Sequence, residues 1–94
     1  MTVTVFIPGA LRNEAEGASS ISVDVDAQAS LATVLDTVAQ RHPRLGRRIR
    51  DERGEVRRYV NIFIGDDECR TISGVDSNIA DGTEVRILPS VAGG

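Results

Sequence analysis

The sequence predicts a two-layer α+β domain, a sheet with one main helix packed across one face. Three observations carry this. Alternating apolar segments stand toward both ends of the chain. One long helical stripe lies between them. The intervening stretches are short and rich in turn residues.

The elements follow in order. Thr2-Val3-Thr4-Val5-Phe6-Ile7 alternates, with Val3, Val5 and Ile7 on one face, and Pro8-Gly9 ends this strand. Leu11 to Ser20 holds small and polar residues and reads as a loop or hairpin connection. Ile21-Ser22-Val23-Asp24-Val25 alternates again, a second strand pairing with the first as a hairpin. Ser30 is placed to cap a helix, its hydroxyl meeting a free backbone N–H of the first turn. Leu31, Val34, Leu35 and Val38 fall at i, i+3, i+4 and i+7 and make one apolar stripe. Pro43 stops that helix near Arg41–His42. Arg44 to Arg58 reads as an irregular charged stretch with a short helical turn holding Leu45 and Ile49.

Tyr59-Val60-Asn61-Ile62-Phe63-Ile64 is the strongest strand signal, with Val60, Ile62 and Ile64 on one face. Gly65-Asp66-Asp67 turns the chain, Glu68 to Ile72 reads as a short strand, and Gly74 to Ala80 is a crossing segment anchored by Ile79. Asp81-Gly82 makes a tight turn into the last strand, Val85 to Leu88. If the inward faces of the strands meet the helix stripe, then Phe6, Phe63 and Leu88 lie on the opposite, open face of the sheet. An apolar group there is a candidate docking site for a partner.

Composition narrows the class. The only aromatics are Phe6, Tyr59 and Phe63, so the core is aliphatic. A net charge of −3 argues against nucleic acid as a main partner. One cysteine, Cys69, makes no internal disulfide, which suits a reducing compartment. No apolar run reads as a membrane span or a secretory leader, so a cytoplasmic, monomeric protein is expected. Lysine is absent; all eleven basic side chains are arginine. One His and one Cys support neither a zinc site nor a catalytic triad, and there is no phosphate-binding glycine loop. No bound cofactor or metal is expected.

The end of the sequence, Pro89-Ser90-Val91-Ala92-Gly93-Gly94, is the distinctive stretch. Pro89 lacks an N–H and is suited to end strand pairing, which divides the chain into a domain over 1–89 and a flexible tail over 90–94. Two glycines without a Cβ make the tail thin enough to enter a narrow slot and present a carboxylate.

This element order, ending in Gly-Gly, resembles the β-grasp fold of ubiquitin-like proteins, a mixed sheet with one main helix across one face. The blocks that carry the resemblance are Val3-Thr4-Val5, the run from Tyr59 to Glu68, and the run from Ala80 to Gly94 with its Asp-Gly turn and Pro-x-Val-Ala-Gly-Gly ending. They are similar to the MoaD/ThiS family of bacterial sulfur carriers, and the two longer blocks to its CysO-like members in cysteine synthesis. The resemblance implies that the Gly94 carboxylate attacks ATP in a ubiquitin-activating-type enzyme and becomes an acyl-adenylate. A sulfur source then displaces AMP to leave a thiocarboxylate, which donates sulfur to a biosynthetic enzyme making cysteine, a molybdopterin-type cofactor or a thio-sugar. Gly93, Ala92 and Val91 would thread the partner's slot, and Phe63, Leu88 and Phe6 would dock against it. The chain would be a substrate in sulfur transfer and not an enzyme, with ATP consumed by the partner. Two other readings stand beside it: a protein modifier joined through Gly94 to lysines, and a β-grasp interaction module.

Three further features have bland and functional readings. Cys69 reads as a small residue near a strand end, or as a sulfur-relay thiol. His42 reads as a solvated residue at a helix end. The arginines between Arg41 and Arg58 read as a solvated face, a docking surface for an acidic partner, or a nucleic-acid patch short of stacking aromatics.

Overall fold

The computed structural model describes residues 1–89. The tail residues Ser90, Val91, Ala92, Gly93 and Gly94, and every expectation placed on them, lie outside the described residues. Five strands form one sheet: β1 (Thr2–Phe6), β2 (Ser20–Asp24), β3 (Val60–Ile64), β4 (Asp67–Glu68) and β5 (Glu84–Pro89). Their order is β2-β1-β5-β3-β4. β1 and β2 are the expected antiparallel hairpin, with Val3 opposite Val23 and Val5 opposite Ile21. β5 lies between β1, to which it runs parallel, and β3, to which it runs antiparallel. The sheet is therefore mixed. The strand that leads into the tail is its central one.

The period-two pattern decides the faces. Val3, Val5, Ile7, Val60, Ile62, Ile64, Val85 and Ile87 are buried, and so are Leu31, Val34, Leu35 and Val38 of helix α1 (Leu31–Arg41). The apolar stripe of α1 covers the inner face of the sheet, as the spacing predicts. Ser30 caps α1 through a long hydrogen bond, Thr33 N–H to Ser30 Oγ at 3.4 Å. The crossing segment pins the start of this helix: Leu31 N–H donates to Ser77 O, and Ile79 N–H donates to Ala29 O. Ile79 is buried as expected. The turn before β5 holds Gly82 at φ +82°, a left-handed conformation that glycine adopts without strain.

Three expectations are corrected. The stretch after β1 is not a loop but a 3-10 helix, Gly9–Ala15, which buries Leu11 and Ala15 on one side. A 3-10 helix repeats every three residues, so their spacing of four makes no periodic stripe that the sequence could announce. The stretch after α1 does hold the expected helical turn around Leu45 and Ile49, and it is longer than one turn. Helix α2 (Pro43–Ile49) begins there, with Pro43 at its first turn, where a missing N–H costs nothing, and it buries Leu45 and Ile49. The strand expected over Glu68 to Ile72 is only the two-residue β4, followed by a 3-10 turn, Cys69–Thr71.

Gly46 explains how α2 fits. A Cβ built on it would stand 2.5 Å from Ala39 Cβ and 3.0 Å from Ala39 Cα, so the two helices touch backbone to backbone there. Gly46→Ala tests two opposed effects. Helix propensity favours alanine by about 1 kcal/mol. The overlap with Ala39 disfavours it by about 1–3 kcal/mol. A net loss of stability is expected in urea unfolding, and a net gain would show that α1 and α2 do not pack this closely.

Candidate functional site

β5 ends at Pro89, which stands opposite Val60, the first residue of β3. Upstream, β5 is held on both sides, with Val85 opposite Val5 of β1 and opposite Ile64 of β3. A strand held by two neighbours cannot swing, so the direction in which the chain leaves the sheet is set by the sheet itself. The residues sequence reasoning singled out there, Gly94, Gly93, Ala92 and Val91, follow this fixed exit.

The outer face of the sheet carries the other three candidates. Phe6 is 36% exposed, Leu88 is 43% exposed and Phe63 is half-buried. The register adds a feature that no local spacing announces: Phe6 and Phe63 both stand opposite Arg86, so the row across three strands is Phe6, Arg86, Phe63. Arg86 places its guanidinium carbon 5.8 Å from the centre of the Phe6 ring and pairs with Glu84 at 3.2 Å. Leu88 lies one step nearer the exit, opposite Asn61. The face is therefore amphipathic, two aromatic rings around a cation with a leucine beside the tail.

Arg70 was not singled out by the sequence, yet it organises the entry to β3. Its Nη2 donates to Arg57 O at 2.7 Å and to Val60 O at 2.9 Å, and its Nη1 donates to Glu68 Oε1 at 3.0 Å and to Asn61 Oδ1 at 3.3 Å. Burial opposes ionisation of Glu68, but the backbone N–H and guanidinium of Arg70 outweigh it and hold the carboxyl below its usual range. A five-donor guanidinium is what lets one side chain reach so many oxygens; a lysine could not. No local pattern marks Arg70, because apart from Glu68 these partners lie 9 to 13 residues away.

Cys69 is buried beside β4 and has no exposure to solvent. Burial, with the neighbouring Glu68 carboxylate, pushes its thiol above the ordinary range. A buried thiol held in its protonated form fills space and is a poor relay nucleophile. Among the described residues no cluster of three or more His, Cys, Asp or Glu could hold a metal, and no helix is long and apolar enough to cross a membrane.

A mixed five-stranded sheet with one main helix packed across one face has the ubiquitin-like β-grasp architecture. Comparison with known proteins gives the family. The ThiS family matches residues 5–94, and the chain belongs to it. It is 38% identical to the Mycobacterium tuberculosis sulfur carrier protein CysO, over all of both chains. It also matches a chain of the Amycolatopsis orientalis BexX/CysO complex at a TM-score of 0.86 and 33% identity, covering 98% of this chain and 99% of that one. SAMP1 from Haloferax volcanii has the same fold, with a TM-score of 0.83 and 26% identity over all of both chains. The chain is thus CysO-like over its whole length.

Proposed function

We propose that this protein is a sulfur carrier whose Gly94 carboxylate is activated and converted to a thiocarboxylate. The whole-length similarity to CysO carries this reading. The central position of β5 supports it, because a tail leaving a fixed strand can be aimed into a slot. A carboxylate is a poor electrophile. An oxygen of Gly94 attacks the α-phosphorus of ATP in a ubiquitin-activating-type partner and pyrophosphate leaves. A sulfur nucleophile then attacks the acyl carbon and AMP leaves with the electron pair of the broken C–O bond. With hydrosulfide as that nucleophile, loss of its proton leaves a thiocarboxylate, and a biosynthetic enzyme accepts that sulfur. The protein binds no cofactor, serves as substrate in each step and works in the cytoplasm. The outer face of Phe6, Phe63 and Leu88 docks on the activating enzyme. Mass spectrometry of the protein from its native host tests this: a species with sulfur in place of one oxygen at Gly94 is expected, and its absence under sulfur-replete growth counts against the reading.

The likeness to SAMP1, a small archaeal modifier protein, favours one second reading, conjugation through Gly94 to lysines of other proteins. A Gly-Gly branch on lysines of other proteins, sought by mass spectrometry in the native host, separates the two, and the lysine-free sequence adds a check on the chain itself. Apart from the Met1 amine, which donates to Val25 O at 2.7 Å, this chain offers no amine for chains on itself. Incubation with the activating enzyme and ATP is expected to give no self-conjugated ladder. A ladder that survives both thiol and hydroxylamine would be an amide and would favour the modifier reading.

A further inference from the structure

The arginines of this chain are not distributed evenly in what they do. Arg50 pairs with Asp36, Arg53 with Asp51 and Glu55, Arg70 with Glu68 and Arg86 with Glu84. Arg12, Arg41 and Arg57 donate to backbone carbonyls of Ile7, Ser22 and Arg47. Arg44, Arg47, Arg48 and Arg58 are exposed, and among the described residues their side chains make no hydrogen bond or ion pair. Three of them sit together. Arg44, Arg47 and Arg48 lie on α2 and, with Arg57, Tyr59 and Glu14, line one depression; Arg58, next to Arg57 in the chain, lines the adjoining depression with Asp51, Arg53, Glu55 and Arg70. The first depression holds four arginines and one glutamate, a charge of +3. With −3 on the whole chain, that leaves −6 on the rest.

The topology places this cluster at the tail's exit. β1 and β5 are parallel and point to the same end, where β1 runs on toward the 3-10 helix Gly9–Ala15, which packs against α2. β3 begins at that end, so Arg57-Arg58-Tyr59 leads into Val60, the residue opposite Pro89. Beyond Pro89 the five remaining residues span at most about 18 Å even fully extended. A partner that takes Gly94 into a slot must therefore bring the rim of that slot close to the exit end, within a Debye length or two of these arginines.

We propose that this cationic end docks on a carboxylate-rich rim around the slot of the enzyme that receives the tail. The inference rests on the carrier reading above and deepens it. Unpaired guanidiniums are suited to fork onto carboxylates, and side chains held by no intramolecular partner break no existing ion pair when they do so. A nucleic acid fits less well: Tyr59, 53% exposed, is the one aromatic in the cluster, and the remaining −6 would repel a polyanion. The charge asymmetry also orients the encounter, with the exit end drawn in and the remainder held away.

The test is ATP–pyrophosphate exchange by the activating enzyme of the same genome, with the carrier as varied substrate. Arg44→Glu, Arg48→Glu and Arg58→Glu are combined, since these side chains have no partner to lose among the described residues. At low salt the KM for the carrier is expected to rise about tenfold with kcat retained, and the fall of kcat/KM with added NaCl seen for the parent is expected to flatten. The same three positions as lysine keep the charge but not the fork, and their KM is expected to fall between those of the parent and the glutamate variant. A glutamate variant with parental KM and salt response overturns the docking surface while leaving the carrier reading intact. So does a lysine variant as impaired as the glutamate one. So does tight binding of a single-stranded DNA or RNA oligonucleotide that the glutamate variant loses without a change in KM. Failure of the parent itself to support exchange overturns the carrier reading, and this inference with it.

Discussion

Gly93→Leu is expected to fold like the parent and to be activated about a hundredfold more slowly, because a misplacement of about 1 Å at a reacting centre can cost that much. The two halves of this result have separate causes. The last buried residues of the described chain are Val85 and Ile87, both upstream of Pro89, and the core over 1–89 closes with them. Substitutions outside core, caps and pairing usually shift stability by no more than about 0.5 kcal/mol. At the slot the same leucine places a Cβ and a branched side chain one residue from the reacting carboxylate. A passage narrow enough to hold that carboxylate in line with a phosphate has no room for them. Deletion of Gly94 is expected to do equal harm, since it draws the carboxylate back by up to about 3.5 Å. Pyrophosphate exchange and thermal unfolding, measured together, check both halves. Parental activation of Gly93→Leu would sink the narrow-slot argument, and unfolding of the domain by it would make the tail structural.

Two neighbours on β3 are expected to respond in opposite ways. Ile62 is fully buried midway along β3, opposite Ile87 of the central strand. Ile62→Ala removes three carbons and leaves a cavity the sheet cannot close, a loss of about 2–5 kcal/mol. Small domains have roughly 5–15 kcal/mol in total, so this variant is expected to unfold at far lower urea. Phe63, one residue on, points to the outer face beside Arg86 and is half-buried. Phe63→Ser is expected to cost about 1 kcal/mol or less, since it opens no cavity in the core. Its effect belongs to docking, as a raised KM for the carrier in the exchange assay with the fold intact. If Phe63→Ser destabilised as much as Ile62→Ala and left that KM unchanged, Phe63 would be core and the outer face would not be the docking face.

The contrast between those two residues is legible in the sequence, because the side-chain period of a strand is a local property of the chain. Alternation alone assigns Ile62 inward and Phe63 outward, and the same argument places Phe6 and Leu88. The stripe of α1 and its Ser30 cap are equally local. Where the local signal is weak, the expectation fails. Leu11 and Ala15 are only two apolar positions among polar ones, and their 3-10 helix is stabilised by what it packs on rather than by propensity.

By itself, then, the sequence determined the two-layer α+β class, the face to which each strand residue points and the main helix. All of these follow from spacings within a few residues. Tertiary structure alone decided the rest. It put β5 between β1 and β3, so that the tail leaves from the central strand. It set Arg86 between Phe6 and Phe63, and it made Gly46 the contact of α2 with α1. It also sorted eleven arginines that look alike in the sequence into those with partners among the described residues and those without, gathered at the exit of the tail. The physical reason is the same throughout: pairing across strands and packing between layers join residues far apart in the chain, and no local period encodes which of them will meet.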